Sequence, residues 1–193
     1  MNHAFFAMMS RMKYIERWAL MRNSKQETVS EHALQVGMIA HALAVISITR
    51  CGKTVDPEKA ALLGMYHDAS EIITGDMPTP VKYHNHEIQD AFQSLEEKAN
   101  QQLLSILPED MQPYYRSLFI PTEEDAYVHR LVKAADKLSA YIKCVEELKA
   151  GNSEFRDAAA QTRAALEEYE LPEVTYFLET FMPSFSLTLD QLK

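Results

Sequence analysis

The sequence is poor in glycine and cysteine, with five glycines and two cysteines among 193 residues. It contains no Asn-Gly or Asp-Gly turn pair, and no stretch alternates cleanly between β-branched and polar residues. This scarcity of hairpin signals favours an all-α fold. Cys51 and Cys144 form neither a disulfide framework nor a CxxC pair, so we expect reduced thiols and a cytoplasmic protein.

A surplus of positive charge and an uninterrupted apolar run are also missing. Nineteen Lys and Arg residues stand against 28 Asp and Glu residues, and the net charge of −9 argues against binding to a nucleic acid polymer or an anionic membrane. Charged residues interrupt the N-terminal segment early, so we expect no signal peptide. Polar residues also interrupt the apolar run at residues 33–49, which predicts a buried helix rather than a membrane span.

The composition is that of one globular domain. Hydrophobic residues make up 47% of the chain and charged residues 24%, close to globular averages, and the length suits a single packed core. We therefore predict one domain over residues 1–193. Its helical core is expected at about residues 28–150, followed by C-terminal helices at about residues 153–182.

Capping signals and apolar periodicity place the first helices. Apolar residues at helical spacing predict a helix over residues 4–18 that ends beside Trp18. Thr28 and Glu31 form a capping-box pattern that opens a second helix, and Gly52 is expected to end it. Asp56 before a proline predicts a third helix through His67, and the sequence leaves open whether that helix continues to residue 73 or restarts near residue 70.

The rest of the chain alternates helices with proline-rich breaks. A glycine and two prolines predict a non-helical loop at residues 75–80. Thr122 and Asp125 resemble a second capping box. Further helices are predicted at residues 85–107, 108–118, 122–150, 153–169 and 173–182.

Four side chains carry the strongest chemical signal: His32, His67, Asp68 and Asp136. They are expected on inward helix faces. One inward histidine or one His-Asp pair is weak evidence, because a single buried histidine is more often a hydrogen-bonded core residue. Two inward carboxylates beside two imidazoles need a partner, since an unpaired buried carboxylate costs several kcal/mol. A divalent cation supplies that partner.

Five segments of the sequence carry a family resemblance: RWALMR (residues 17–22), VSEH (29–32), MYHDASEIITGDMPTPVK (65–82), KAADKLSAYIKCVEEL (133–148) and FMPSFSLTLD (181–190). They resemble the HD-domain phosphohydrolases, and most closely the bacterial 5′-deoxynucleotidases within that family. The resemblance covers nearly the whole chain. It implies a metal-dependent phosphoric monoester hydrolase that converts deoxyribonucleoside 5′-monophosphates to deoxyribonucleosides and phosphate and discriminates against ribonucleotides.

The resemblance implies one divalent metal ion with four ligands: His32, His67, Asp68 and Asp136. A set of two imidazoles and two carboxylates suits Co²⁺, Mn²⁺, Fe²⁺ or Zn²⁺ better than Mg²⁺ or Ca²⁺, which prefer oxygen ligands alone. Members of the family favour Co²⁺, so Co²⁺ or Mn²⁺ is expected, with Zn²⁺ and Fe²⁺ as alternatives. The family is typically homodimeric, and Tyr114, Tyr115 and Phe119 are candidates for an interface.

Three further residues are expected to take part in the reaction. Glu71 would position a water for in-line attack on the phosphate, while the metal activates that water; a surface glutamate is the alternative. Arg17 would orient and neutralise the phosphate, because its planar guanidinium matches a phosphate group. Lys82 is a second candidate cation or an ordinary surface lysine. Asp76 is a candidate general acid or a contact to the 3′-hydroxyl.

The nucleotide pocket is expected beside Trp18, whose bulk would exclude a ribose 2′-hydroxyl, although core packing is the alternative role for a lone tryptophan. Substrate-binding residues by resemblance are Arg17, Trp18, His32, Glu71, Asp76, Met77, Pro78, Thr79 and Asp136. The alternative functions are another HD phosphohydrolase, acting on phosphodiesters or triphosphates, and a nucleotide-binding module without activity.

Overall fold

A computed structural model describes residues 4–82 and 84–192. Within these ranges the secondary structure is helical apart from one isolated β-bridge between Glu16 and Thr28, which confirms the all-α prediction. The α-helices are α1 (Phe5–Met9), α2 (Val29–Cys51), α3 (Pro57–Tyr66), α4 (Glu71–Thr74), α5 (Thr79–Lys82), α6 (His86–Ser105), α7 (Gln112–Phe119), α8 (Ala126–Lys149), α9 (Arg156–Glu167) and α10 (Pro172–Thr180). Short 3₁₀ helices occupy Ser10–Tyr14, Glu123–Asp125, Ser153–Phe155, Met182–Ser186 and Leu189–Leu192.

Helix α2 forms the centre of the main core. It packs against α3, α8 and α10, and its Val36, Ala40 and Leu43 are buried in one cluster with Leu131 and Leu138 of α8. By length and composition α2 is apolar enough to cross a membrane, but 56% of its apolar window is buried inside the protein. This agrees with the prediction of a buried helix at residues 33–49.

The predicted capping signals set the bounds of α2. The Thr28 side chain accepts a hydrogen bond from the Glu31 N–H, and the Glu31 carboxylate accepts one from the Thr28 N–H, so both halves of the capping box form. At the other end, Gly52 takes the left-handed conformation with φ 65°. Because the helix begins at Val29, His32 lies in its first turn, at the end of α2 where the candidate site forms.

Two glycines allow α2 and α3 to touch through their backbones. A Cβ added at Gly64 would lie 2.8 Å from Gly37 Cα and 2.9 Å from Gly37 N. No side chain fits between the helices at this point, so the approach requires glycine. The contact lies three residues before His67 and five after His32, so the two helices are closely packed near both imidazoles.

Gly64→Ala is expected to destabilise the protein, because the added methyl group must push the two backbones apart. Overpacking of this kind costs about 1–3 kcal/mol. The midpoint of urea unfolding should fall in Gly64→Ala, whereas Glu58→Ala, at an exposed position of α3, should change it little. An unchanged midpoint in Gly64→Ala would contradict the close helix contact.

The first predicted helix, over residues 4–18, is wrong in its second half. Helix α1 ends at Met9, a 3₁₀ helix follows to Tyr14, Ile15 is extended and Glu16 forms the isolated β-bridge with Thr28. This segment pairs with the residues before α2: Arg17 N–H donates to Glu27 O at 2.9 Å, and Val29 N–H donates to Ile15 O at 2.9 Å. These long-range bonds replace the helical ones, so Trp18 does not lie at a helix end.

Three other sequence predictions need correction. The loop at residues 75–80 is not fully non-helical, because Thr79–Lys82 forms one turn, and a proline is tolerated in a first turn. Helix α7 begins at Gln112 instead of residue 108. The second capping box does not form, because the Asp125 carboxylate accepts from Thr122 Oγ1 at 2.8 Å and binds Lys59 at 2.5 Å.

The aromatic residues suggested for an interface are mostly engaged in the fold. Phe119 is buried at 4% exposure, and its ring packs edge-on against Phe5 with centroids 5.9 Å apart. Tyr115 is part-buried and packs against the same phenylalanine. Of the three, only Tyr114 is strongly exposed, at 83%.

A buried carboxylate joins α10 to α2 and α8. Glu173 is fully buried and accepts hydrogen bonds from Ser47 Oγ, from Tyr127 OH at 2.6 Å and from Lys53 Nζ at 3.1 Å. Burial alone would raise the pKa of Glu173, but these hydrogen bonds outweigh it and lower the pKa to about 2. The ionised carboxylate is therefore the form that stabilises the fold.

Glu173→Gln should make the free energy of unfolding less dependent on pH in the acidic range. A carboxyl with a depressed folded-state pKa contributes stability above its unfolded value of 4.5, and that contribution is lost as pH falls toward 2. Urea midpoints at pH 7 and pH 3 should show a less stable variant at pH 7 and a smaller drop on acidification. The exposed Glu168→Gln serves as control, and an acid response equal to that of the parent would contradict the role of Glu173.

Candidate metal centre

His32 is held in one orientation at the start of α2. Its side chain is fully buried, and Nδ1 lies 3.0 Å from Ser139 Oγ of α8. The opposite ring nitrogen, Nε2, lies 3.1 Å from Asp136 Oδ1 and 3.5 Å from Asp68 Oδ2. A hydrogen bond at Nδ1 fixes the ring so that Nε2 faces the carboxylates.

His67 and Asp68 follow the end of α3, where the chain turns before α4. His67 Nδ1 lies 2.7 Å from Gly64 O, a contact in which the ring N–H donates to the carbonyl. His67 Nε2 lies 3.0 Å from Asp68 Oδ2. The ring centroids of His32 and His67 are 5.2 Å apart, so both Nε2 atoms face the same space.

The three groups His32, His67 and Asp68 each offer a ligand atom, and these atoms lie within 4.8 Å of one another. Both imidazole Nε2 atoms are buried and make no hydrogen bond of good geometry. Buried polar atoms without partners are rare, and here they point at carboxylates. The donor set, with Asp136 beside His32, therefore fits a divalent cation.

The charges within the cluster strongly shift the pKa values of its carboxyl groups. Burial would raise the pKa of Asp136, but His32, His67 and Arg17 hold it well below its usual range. For Asp68, the effect of burial is likewise outweighed, mainly by His67, and its pKa is lowered. Both carboxylates are therefore ionised at neutral pH, as metal ligands must be.

Arg17 is the cation of the site. The guanidinium reaches the cluster from the bend that follows the Glu16–Thr28 bridge, and its Nη1 donates to Asp68 Oδ2 at 3.4 Å. Burial would lower the pKa of Arg17, but the carboxylates Asp136 and Asp68 raise it above its usual value. The expected cation therefore lies at the site, although not on the predicted helix. Lys82 instead binds Glu96 at 2.8 Å.

Glu71 opens α4, after the turn that contains Asp68. Helix α3 thus ends and a new helix begins, which resolves the alternative that the sequence left open. Glu71 is 8% exposed, and its Oε2 is buried without a hydrogen-bond partner. Burial, together with the charges of Asp68 and Asp76, raises the pKa of Glu71 to about 9. An acidic side chain is thus held beside the cluster and free of competing contacts.

Asp76 follows Gly75 and is half-buried. Burial raises the pKa of its carboxyl, although the nearby Arg17 guanidinium acts in the opposite direction. Met77 and Pro78 are half-buried and Thr79 is exposed. The carboxyl of Asp76 therefore lies close enough to Arg17 for their charges to interact.

Trp18 packs against the C-terminal part of the fold. Its ring lies 5.4 Å from the Phe155 ring between centroids, and its Nε1–H donates to Glu27 Oε2 at 3.0 Å. The backbone of Trp18 has φ 59°, which places a bulky residue in the left-handed region. The contact with Phe155 agrees with a packing role for this tryptophan, and its role in the nucleotide pocket stays a prediction.

Three residues around the site were missed or not assigned from the sequence. Glu27 lies between Trp18 and the cluster, and Gln35 Oε1 accepts from Ser139 Oγ at 2.6 Å, behind His32. Helical spacing could have indicated Gln35 and Ser139, because Gln35 lies three residues after His32 and Ser139 lies three residues after Asp136. No such signal marks Glu27, which precedes the helix.

One known protein family resembles this chain over nearly its whole length. A model of the YfbR-like 5′-deoxynucleotidase family matches residues 4–185. The chain belongs to this family. A 5′-deoxynucleotidase from Yersinia pestis is 50% identical over 196 residues, which cover 100% of this chain and 97% of the relative.

Solved structures share the fold. An HD-domain phosphohydrolase from Listeria innocua superposes with a TM-score of 0.82 at 26% identity, covering 95% of this chain and 88% of that one. The cyanophage S-2L HD phosphohydrolase, bound to dA and one catalytic Zn²⁺ ion, has a TM-score of 0.65 at 17% identity, with 92% and 96% covered. The likeness to the cyanophage protein shows the fold alone.

Membership in this 5′-deoxynucleotidase family confirms two expectations, the HD-domain phosphohydrolase resemblance and the class of phosphoric monoester hydrolases. The residue roles stay predictions. The geometry brings together the four predicted ligands and Arg17, with Glu71 and Asp76 beside them, while Met77, Pro78 and Thr79 remain candidates by their place after Asp76.

Proposed function

We propose that the protein is a divalent-metal-dependent 5′-deoxynucleotidase that releases phosphate from deoxyribonucleoside 5′-monophosphates and discriminates against ribonucleotides. The observation that carries the metal dependence is the pair of buried, unpartnered Nε2 atoms of His32 and His67, which face two ionised carboxylates. The substrate class is supported by the named activity of a relative with 50% identity along the chain.

One cation would be held by His32, His67, Asp68 and Asp136. When bound, it supplies Lewis-acid stabilisation of phosphate oxygens and makes water a nucleophile at neutral pH. We propose Co²⁺ or Mn²⁺, with Zn²⁺ and Fe²⁺ as alternatives, because two nitrogen and two carboxylate ligands suit these ions. Zn²⁺ is the ion named for the structurally similar cyanophage protein.

The side chains around the cation divide the remaining work. Arg17 stays charged and binds the phosphate, so it neutralises charge as the phosphoryl group is transferred. Glu71 would orient the attacking water and accept its proton. Burial and the charges of Asp68 and Asp76 raise its pKa, so this role requires that positive charge in the cluster lower that pKa. Asp76, with its raised pKa, donates a proton to the leaving 5′-oxygen or binds the 3′-hydroxyl.

Trp18 is proposed to set the preference for deoxyribose. Its ring packs on Phe155 and its indole N–H binds Glu27, so the side chain directly after Arg17, the proposed phosphate ligand, is held in place. A site without a partner for a 2′-hydroxyl must desolvate that group unpaired, and this penalty favours the deoxy substrate.

Phosphate release from four substrates tests the proposal. The metal-depleted protein, with and without added Co²⁺ or Mn²⁺, is assayed with deoxyadenosine 5′-monophosphate, adenosine 5′-monophosphate, deoxyadenosine triphosphate and a phosphodiester. Metal-restored release from the deoxy monophosphate alone supports the proposal. Equal release from both monophosphates would contradict the proposed discrimination against ribonucleotides. Preferred cleavage of the triphosphate or the diester would indicate another HD phosphohydrolase. Nucleotide binding without phosphate release would indicate a nucleotide-binding module.

A homodimer is also proposed, through α2 rather than the predicted aromatics. Leu34, Met38, Val45 and Ile48 lie along one face of α2 and are 36–58% exposed. Leu62 and Met65 of α3 extend this patch. Contiguous exposed apolar surface of this kind marks interaction sites.

Leu34→Glu with Met38→Glu should convert the proposed dimer to a monomer, because burying two carboxylates in the interface is unfavourable. Sedimentation velocity measures the change, and Tyr114→Glu is the matched control on an exposed residue outside the patch. A parent protein that sediments as a monomer would contradict the dimer.

We further propose a cytoplasmic location and no nucleic acid polymer as partner, in keeping with two free cysteines and a net charge of −9.

A further inference from the structure

Trp18 is held in a backbone conformation that it would not adopt by itself. Its φ of 59° lies in the left-handed region, which costs roughly 1–2 kcal/mol for a residue other than glycine. The Trp18 carbonyl accepts from Met21 N–H at 2.9 Å and from Asn23 Nδ2 at 3.3 Å. These bonds hold the backbone but leave the side-chain torsions free.

Glu27 supplies the polar contact that fixes the side chain. Its Oε2 accepts the indole Nε1–H at 3.0 Å, while Phe155 supports the ring. One directional hydrogen bond and one ring contact are sufficient to fix the two torsions of a tryptophan. The Glu27 side chain is only 13% exposed, so water competes little for this bond.

Glu27 also contacts the backbone and side chain of Arg17 and lies near one histidine of the cluster. Its backbone carbonyl accepts from the Arg17 N–H at 2.9 Å, and its Oε2 lies 3.8 Å from Arg17 Nε. Its other oxygen, Oε1, lies 3.7 Å from His32 Nδ1. The carboxylate therefore sits between the indole, the guanidinium and the back of a candidate metal ligand.

We infer that Glu27 is a positioning residue that sets the Trp18 ring, and through it the discrimination between deoxyribose and ribose. Glu27 approaches His32 at Nδ1, not at the Nε2 atom that faces the carboxylates, so we assign it no part in bond breaking. Its acceptor oxygen keeps the indole against Phe155, so the space beside the sugar keeps its shape. The effect on selectivity rests on the proposed deoxynucleotidase function, whereas the effect on the indole does not.

Variants at residue 27 separate this role from a structural one. Glu27→Ala removes the acceptor, while Glu27→Gln keeps an amide oxygen that can accept from the indole. Glu154→Ala is the control, because Glu154 binds Arg22 in the segment that follows Trp18 but does not touch the indole. Trp18 is the sole tryptophan, so intrinsic fluorescence reports on its surroundings without any assay of activity.

In Glu27→Ala we expect a shifted tryptophan emission and a deoxy-to-ribo ratio of kcat/KM lowered about 10- to 100-fold, the range for loss of a hydrogen bond to a charged group. Glu27→Gln should stay within about threefold of the parent in that ratio and keep its emission, and Glu154→Ala should match the parent in both. If Glu27→Ala does not fold, Glu27→Met, which keeps the length of the side chain but lacks both oxygens, takes its place.

Three results would overturn the inference: unchanged emission in Glu27→Ala, a Gln variant as impaired as the Ala variant, or a lower melting temperature with an unchanged deoxy-to-ribo ratio. If the parent releases no phosphate from any nucleotide, the proposed function fails. The emission of the three variants then still decides whether Glu27 positions the indole.

Discussion

Glu71→Gln is expected to lower kcat for phosphate release by about 10²- to 10⁴-fold while the protein keeps its metal. The range is the usual contribution of a positioned general base, and glutamine cannot accept the proton from the attacking water. Glu71 lies beside the cluster with one buried oxygen that has no partner, so its amide should disturb no existing contact. Phosphate release under saturating deoxynucleotide and the metal content per chain are measured on the same sample.

The matched control is Glu58→Gln, at an exposed glutamate in the first turn of α3. It should keep both activity and metal. If Glu71→Gln retained the turnover of the parent, Glu71 would have no part in the chemistry. If it lost the metal as well, Glu71 would be a ligand and the four-ligand assignment would be wrong.

His67→Ala is expected to lose both the bound metal and the activity, with a fall in kcat/KM of about 10³-fold or more. Loss of Lewis-acid stabilisation amounts to several kcal/mol, and about 4 kcal/mol corresponds to a factor of 10³. His67 Nε2 is one of the two buried imidazole atoms without a hydrogen-bond partner, and its Nδ1 is already engaged by Gly64 O. No other described histidine lies in the cluster to replace it, apart from His32.

His41→Ala is the control for this variant, because His41 lies exposed on α2. Metal analysis and phosphate release should match the parent in His41→Ala and fall together in His67→Ala. A His67→Ala protein that still binds one ion per chain with the affinity of the parent would remove His67 from the ligand set.

Local sequence signals predicted most of the scaffold. The Thr28–Glu31 capping box and the left-handed Gly52 bound α2 where expected, because both depend on residues a few positions apart. Because the capping box marks where α2 begins, it also predicts that His32 lies in the first turn of this helix. Asp136 was assigned to the inner face of α8 from its apolar neighbours, and it lies beside His32 as that assignment requires.

Long-range pairing limited what the sequence could predict. The segment with Arg17 and Trp18 was expected to be helical because its apolar residues have helical spacing, yet its backbone bonds go to residues 27–29. The role of Gly64 depends on Gly37 of another helix, and no local pattern marks such a contact. Phe119 looked available for an interface until α1 was found to cover it.

A titration of metal into the metal-depleted protein, followed by phosphate release from deoxyadenosine 5′-monophosphate, tests the central claim most directly. The account predicts activity that rises in proportion to added Co²⁺ or Mn²⁺ and levels off at one ion per chain. Full activity without metal, or a plateau only at two ions per chain, would contradict a single catalytic ion held by His32, His67, Asp68 and Asp136.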